Sequence, residues 1–193
     1  MSESAGDTEK IITVFGSSRP KVTDPDYVET RELGTLLAKR GFAVCTGGYG
    51  GVMEAVSRGA KQAGGKTYGV TAEFFSRKAN EWVDVEVRKK TWQERLFELI
   101  DLADGFVACK GGTGTLVELA VVWEMLNKSV MPGKPFVVLG DFWQPVLQRV
   151  REVEQVGGVS SEASIWGEAK GDLVHRADTP HEVVKYLAEH LNS

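Results

Sequence analysis

The stretch Gly105-Phe106-Val107-Ala108-Cys109-Lys110-Gly111-Gly112-Thr113-Gly114-Thr115 changes character twice. It opens wholly apolar, turns to glycine and threonine, and continues as a helical segment to Asn127. An apolar strand that empties into a glycine turn and then a helix is the unit of a parallel sheet covered on both faces. The same grammar recurs upstream. Ile11 to Phe15 ends in Gly16-Ser17-Ser18-Arg19-Pro20 and leads to a helix over about Asp26 to Arg40, with Gly41 as its stop. Phe42 to Cys45 runs into Gly47-Gly48-Tyr49-Gly50-Gly51 and then a helix from Val52 to about Ala63.

Working outward, Lys66 to Thr71 reads as a third strand, residues 72–81 as a loop, and Trp82 to Val87 as a short alternating strand. Thr91 to Ala103 is helical, its apolar stripe formed by Trp92, Leu96, Leu99, Ile100 and Ala103. Pro135 to Leu139 is a strand, Trp143 to Val153 a helix, and a late strand falls near Leu173-Val174-His175. Thr179-Pro180-His181-Glu182 opens the last helix as a capping box with proline at its first position. The fold class is therefore α/β: a single Rossmann-like domain over residues 10–193, with a doubly wound, mainly parallel sheet and a flexible segment at residues 1–9.

Composition sets the outer limits. The 193 residues are 42% hydrophobic and 26% charged, a globular balance. Net charge is −4, which argues against a nucleic-acid coat but leaves room for a local anion site. No apolar run has the ~18 residues a membrane span needs. Cys45 and Cys109 both close apolar runs and read as buried, reduced thiols of a cytoplasmic protein. No Cys/His spacing calls for a metal, and no motif calls for an organic cofactor. Glycine is the outlier, 22 of 193 residues, about 11% against a usual ~7%.

Parallel sheets bind ligands beyond the carboxyl ends of their strands. Three glycine loops, starting at Gly16-Ser17-Ser18, at Gly47-Gly48 and at Gly111-Gly112-Thr113-Gly114-Thr115, are expected there as a phosphate or nucleotide site. Helix N-termini offer free N–H groups to an anion, and glycine lets it approach. The last loop is the strongest, because Thr113 and Thr115 add hydroxyl donors. It is neither a Walker loop nor a Gly-x-Gly-x-x-Gly fingerprint, since Val117 stands at the third glycine. Glu118 lies one turn into the following helix, within reach of a ligand at the helix mouth. That helix, Thr115 to Leu126, is apolar nearly all round, with Val117, Val121, Val122 and Met125 opposite Leu116, Leu119 and Trp123. It is expected to be covered by a second subunit in a dimer or higher homo-oligomer. Arg95 borders its helix's apolar stripe and, by position alone, reads as a snorkelling arginine with a solvated head.

The run from Arg95 through Asp104 to Gly111-Gly112-Thr113-Gly114-Thr115-Leu116-Val117-Glu118 resembles the signature of the Lonely Guy family. Those proteins are cytokinin-activating nucleoside 5′-monophosphate phosphoribohydrolases, often mislabelled lysine decarboxylases. Val14-Phe15-Gly16-Ser17-Ser18-Arg19 and Gly47-Gly48-Tyr49-Gly50-Gly51-Val52-Met53 resemble further landmarks. The resemblance covers about residues 10–140. It implies a dimer and a hydrolysed N-glycosidic bond, giving free base and ribose 5-phosphate. It also implies that Gly111–Thr115 holds the 5′-phosphate and that Arg95 and Glu118 are catalytic. Lys110 and Glu54 depart from the pattern, standing where that family has proline and glycine. The second loop is closer to the molybdenum-cofactor carrier proteins of the same fold, which implies the alternative of a non-catalytic carrier or sensor.

Overall fold

The computed structural model describes residues 9–156 and 172–191. Most of the expected segment 1–9 therefore lies outside the described residues. Seven strands form one parallel sheet in the order β4-β3-β2-β1-β5-β6-β7. In chain order they are β1 (Ile11–Phe15), β2 (Ala43–Thr46), β3 (Thr67–Ala72), β4 (Val85–Lys89), β5 (Gly105–Ala108), β6 (Phe136–Leu139) and β7 (His175–Ala177). Between and after them lie α1 (Pro25–Lys39), α2 (Val52–Gln62), α3 (Trp92–Asp101), α4 (Thr113–Asn127), α5 (Gln144–Val156) and α6 (Pro180–Leu191). A 3-10 turn, Glu73–Phe75, follows β3 inside the expected loop.

The alternation within the central strands feeds two cores. Ile12, Val14, Val44, Val107, Val137 and Leu139 face α1, α2 and α6, whereas Phe15, Cys45, Val70, Phe106, Ala108 and Val138 face α3, α4 and α5. Both faces are apolar because both are covered, which is why the strands read as unbroken hydrophobic runs. The chain builds outward from β1 to β4, returns through α3, and restarts at β5 beside β1. The β1–β5 boundary is the topological switch point, where such sheets open a crevice. Pairing runs from Ile12 opposite Gly105 to Phe15 opposite Ala108, so the two strands end level.

Two helix starts show how sequence fixes the frame. Thr91 Oγ1 accepts from Glu94 N at 3.1 Å and Glu94 Oε2 accepts from Thr91 N at 3.0 Å, a full capping box that fixes the start of α3. At α6, Thr179 Oγ1 accepts from Glu182 N, but the Glu182 carboxylate reaches back to Asp178 N instead, so that box is offset by one residue. Asp104, at the start of β5, accepts from Ile11 N at 2.9 Å and from Lys10 Nζ at 3.1 Å. It ties strands together at the sheet end away from the glycine loops.

Within one chain, helix α4 buries one apolar face and leaves another outward. Leu119, Val122, Trp123 and Leu126 enter the core, while Leu116 and Ala120 are exposed and Val117, Val121 and Met125 are half-buried. Val122 thus belongs to the core and not to the outer face.

Helices α1 and α2 cross at a glycine contact. A Cβ on Gly34 would overlap Val56 O, and one on Gly59 would overlap Arg31 O. Glycine in a helix interior normally costs about 1 kcal/mol against alanine. Here alanine would force two backbones apart, so Gly59→Ala is expected to lower unfolding free energy by about 1–3 kcal/mol. Urea denaturation of the purified variant measures it, and a stabilised Gly59→Ala would refute the contact.

Candidate active site

A cleft of about 1120 Å³ opens over the carboxyl ends of the central strands. Its floor is made from the loops after β1 and β5. Gly16, Ser17, Ser18, Lys110, Gly111, Gly112, Thr113, Gly114 and Thr115 line it, with Arg95 and Glu118. The sheet ladder continues past the strands: Cys109 N donates to Phe15 O at 2.9 Å, and Ser17 N donates to Lys110 O at 3.1 Å. Ser17 O accepts from Val52 N at 2.8 Å, which binds the first loop to α2 as well. A Cβ on Gly16 would collide with the Val52 side chain, so glycine is needed for that seat.

The α4 ladder begins with Leu116 N donating to Gly112 O at 3.0 Å, which leaves the N–H groups of Thr113, Gly114 and Thr115 without intrahelical acceptors. The glycines of this turn differ in purpose. A Cβ on Gly111 would strike the Thr115 hydroxyl, whereas Cβ atoms on Gly112 and Gly114 would meet open space. Backbone bare of side chains at a helix mouth is what an anion can approach.

Gly47 and Gly48, expected at the ligand site, do not line the cleft and instead meet protein groups. A Cβ on Gly47 would collide with Arg95 Nη2. Gly48 has φ +77°, and its carbonyl accepts from Asn80 N and Nδ2. This loop is a seat for the arginine and an anchor for the β3–β4 connection. Of its surroundings, Tyr49 and Met53 reach the cleft wall.

Arg95 is not the solvated snorkel its sequence position suggests. It is 6% exposed. Its Nε donates to Val70 O at 2.8 Å, and its Nη1 lies 3.8 Å from Glu118 Oε1. The guanidinium carbon sits 5.5 Å from the Tyr49 ring centroid and 5.7 Å from that of Phe75, within cation–π range. Burial lowers the arginine pKa, with Glu118 opposing. Glu118 is itself nearly buried, and burial pushes its carboxyl up to about 7, with the Arg95 charge pulling the other way. The pair therefore offers a fixed cation beside a carboxylate that exchanges its proton near neutral pH.

The two residues that break the Lonely Guy pattern hold the frame. Lys110 Nζ pairs with Asp26 Oδ2 at 3.0 Å across the cleft rim. Glu54 Oε1 accepts from the buried Tyr27 hydroxyl at 2.8 Å, joining α1 to the first turn of α2. Both thiols, Cys45 and Cys109, are free and buried, and burial raises both pKa values. Sequence reasoning missed Phe74, Phe75 and Phe142 on the cleft wall. An adjacent phenylalanine pair in an otherwise polar loop was the available signal. No helix among the described residues is long and apolar enough to cross a membrane.

A model of the SLOG cluster4 family matches residues 9–164. An uncharacterized protein of Archaeoglobus fulgidus is 32% identical over 131 residues, spanning 66% of this chain and 82% of its own. A Mycobacterium marinum protein named cytokinin riboside 5′-monophosphate phosphoribohydrolase is 34% identical over 134 residues, spanning 65% of this chain and 71% of its own. Among solved structures, the molybdenum cofactor binding protein of the phototrophic bacterium Rippkaea orientalis superposes with a TM-score of 0.72 at 25% identity, covering 96% of this chain and 98% of that one. With the family model, the glycine–threonine turn and the fold in agreement, the chain belongs to the SLOG cluster4 family, of the Lonely Guy type.

Proposed function

We propose that residues 10–193 form one nucleotide-binding unit that hydrolyses a nucleoside 5′-monophosphate to free base and ribose 5-phosphate. The observation that carries this reading is the Arg95–Glu118 pair, 3.8 Å apart and beside the Gly111–Thr115 turn in one cleft. The 34% identity to a protein named as such a hydrolase supports it. In this reading the 5′-phosphate lies on the free N–H groups of the turn and on the Thr113 and Thr115 hydroxyls. The bond from ribose C1′ to the base nitrogen breaks, its electron pair leaves with the base, and positive charge spreads over C1′ and the ring oxygen. Ionised Glu118 opposes that charge and takes a proton from the attacking water. The base nitrogen takes a proton from solvent as it leaves, Glu118 returns the water's proton to solvent, and Arg95 holds the ribose phosphate in line.

A second reading has an observation of its own. The likeness to a molybdenum cofactor binding protein covers nearly the whole chain, and it favours a carrier or sensor that binds a phosphorylated ligand without turnover. Both readings use the same cleft, and neither involves nucleic acid or a membrane.

The outward face of α4, with Leu116 37% exposed beside Ala120 and Val121, supports a homo-oligomer closed over this helix. Val121→Glu would place an unpaired charge in that interface and is expected to dissociate it. Sedimentation velocity at micromolar concentration checks this, and a wild-type monomer would refute it.

Base release from adenosine, guanosine, cytidine and uridine monophosphates decides between enzyme and carrier. Glu118→Gln keeps the shape and removes the charge, so turnover is expected to fall roughly 100- to 1,000-fold with binding retained. Arg95→Ala is expected to lose both. Wild-type protein that binds these nucleotides and releases no base would establish the carrier.

Because Glu118 must be ionised to act, kcat/KM is expected to rise with pH along a limb centred near 7 and then to level. Arg95 is the group that holds this value down against burial, so Arg95→Gln moves the limb to higher pH. A pH–rate profile of both proteins tests the sign, and a limb that moves down would refute the pairing.

A further inference from the structure

The direction of the Gly111–Thr115 turn depends on how the main chain enters it, because glycines at 111, 112 and 114 leave few side chains to hold it. Three hydrogen bonds fix that entry. Cys109 N donates to Phe15 O at 2.9 Å and Ser17 N donates to Lys110 O at 3.1 Å, both on the β1 side. The third comes from the β6 side and from a side chain: Trp143 Nε1 donates to Cys109 O at 3.0 Å. Among the described residues, no other side chain hydrogen-bonds the main chain of residues 109–112.

This third bond is enclosed. Trp143 is 4% exposed and Cys109 is 2% exposed. An indole N–H can only donate, and a buried carbonyl that loses its donor bears its full desolvation cost. The Cys109 oxygen and the Lys110 N–H share one rigid peptide plane, so fixing the oxygen fixes the direction of the N–H that follows. The tryptophan is itself held from behind. Gly140, at φ +76°, turns the chain after β6, and its N–H donates to Ala177 O on β7 at 2.8 Å. Trp143 O then accepts from Val146 N at 3.1 Å and from Leu147 N at 3.0 Å, which opens the first turn of α5. The side chain belongs to the core that holds Phe106, Val138 and Leu147, and it does not line the cleft. Whatever it does for a ligand passes through Cys109.

We propose that Trp143 is a positioning residue for anion binding. Its indole N–H, acting through Cys109 O, aims the entry of the glycine–threonine turn and so sets the affinity of that turn for a phosphate group. This rests on the phosphate reading of the turn.

Calorimetric titration of the full chain, carrying Glu118→Gln so that nucleotides stay intact, tests this with inorganic phosphate and adenosine 5′-monophosphate. Trp143→Phe keeps an aromatic ring in the core and removes the N–H. It is expected to weaken both probes by one common factor, about 5- to 30-fold. Trp123→Phe is the control: the same substitution in the same core, 7% exposed, in a side chain with no hydrogen bond to the turn. It is expected to bind both probes within about twofold of its parent. In base release with Glu118 restored, Trp143→Phe is expected to raise KM with kcat within about twofold, and to leave the limb near pH 7 in place, because the Arg95–Glu118 pair is untouched. Trp143→Phe binding as tightly as its parent, Trp123→Phe weakening the probes equally, or a fall in kcat at constant KM overturns the positioning.

Should Trp143→Phe not fold, the indole N–H signals of the wild-type chain in the proton NMR spectrum decide. The Trp143 signal is expected to shift as phosphate is added while that of Trp123 stays. An unmoved Trp143 signal, or equal movement of both, overturns the proposal. If Gly114→Val abolishes binding that Trp143→Phe leaves intact, the phosphate reading survives and positioning alone has failed. Binding of neither probe, or binding indifferent to Gly114→Val, overturns both.

Discussion

A guanidinium buried between a sheet and two helices must be satisfied where it stands, and much of the cleft is arranged around that need. Arg95 gives Nε to a β3 carbonyl, faces Glu118 on α4, and lies against the rings of Tyr49 and Phe75. Removing any one partner leaves a charge in a poorly solvated site, where compensation is worth far more than at a surface. The constraint spreads through the fold. Gly47 lacks a side chain because the arginine occupies the space, and Tyr49 is pinned to Ala72. Helix α3 is fastened to β1 through Thr13 Oγ1, which donates to Leu99 O at 2.9 Å. The geometry of the Arg95–Glu118 pair is thus set by the packing of β1, β2, β3, α3 and α4 together.

The electrostatics of the pair are unequal in a useful way. Arginine keeps its charge at any accessible pH, so the cost of burial falls on the carboxyl. Glu118 consequently sits near neutrality while Arg95 limits how far it rises. A carboxylate at the surface would be permanently ionised, and one buried without a cation would be permanently protonated. The observed arrangement lies between these.

Periodicity and glycine punctuation made the sheet, its winding and most element boundaries legible, because strands covered on both faces must be apolar at every position and strand ends must turn. Ile11–Phe15 and Val52–Gln62 stand where the pattern put them. The turn at Gly111–Thr115 and the partner at Glu118 were legible for the same reason, since both lie within one turn of a helix start. Three features were not. The burial of Arg95 depends on Val70, Tyr49 and Phe75, which are remote in sequence. The purpose of Gly47 is visible only once the arginine is placed. The faces of α4 could not be divided by composition, because nearly all its residues are apolar, and only the position of the sheet tells Val122 from Val121. Glycine count alone does not say what a loop meets: the Gly47 position is bare to make room for the Arg95 guanidinium.

The two halves of the cleft are built from different material, and this bears on how such a site changes through evolution. One half presents main-chain N–H groups on a turn whose shape is fixed by Gly111, Thr115 and the hydrogen bond from Ser17 to Lys110. Point substitutions there either preserve the turn or destroy it. The other half presents the side chains of Phe74, Phe75, Arg77 and Phe142, on connections that lie outside the sheet and both cores. Those positions can drift one at a time while the framework holds. Chains sharing this turn and this arginine are therefore free to diverge on the opposite bank of the cleft, and a shared turn licenses a shared backbone geometry more securely than a shared set of facing side chains.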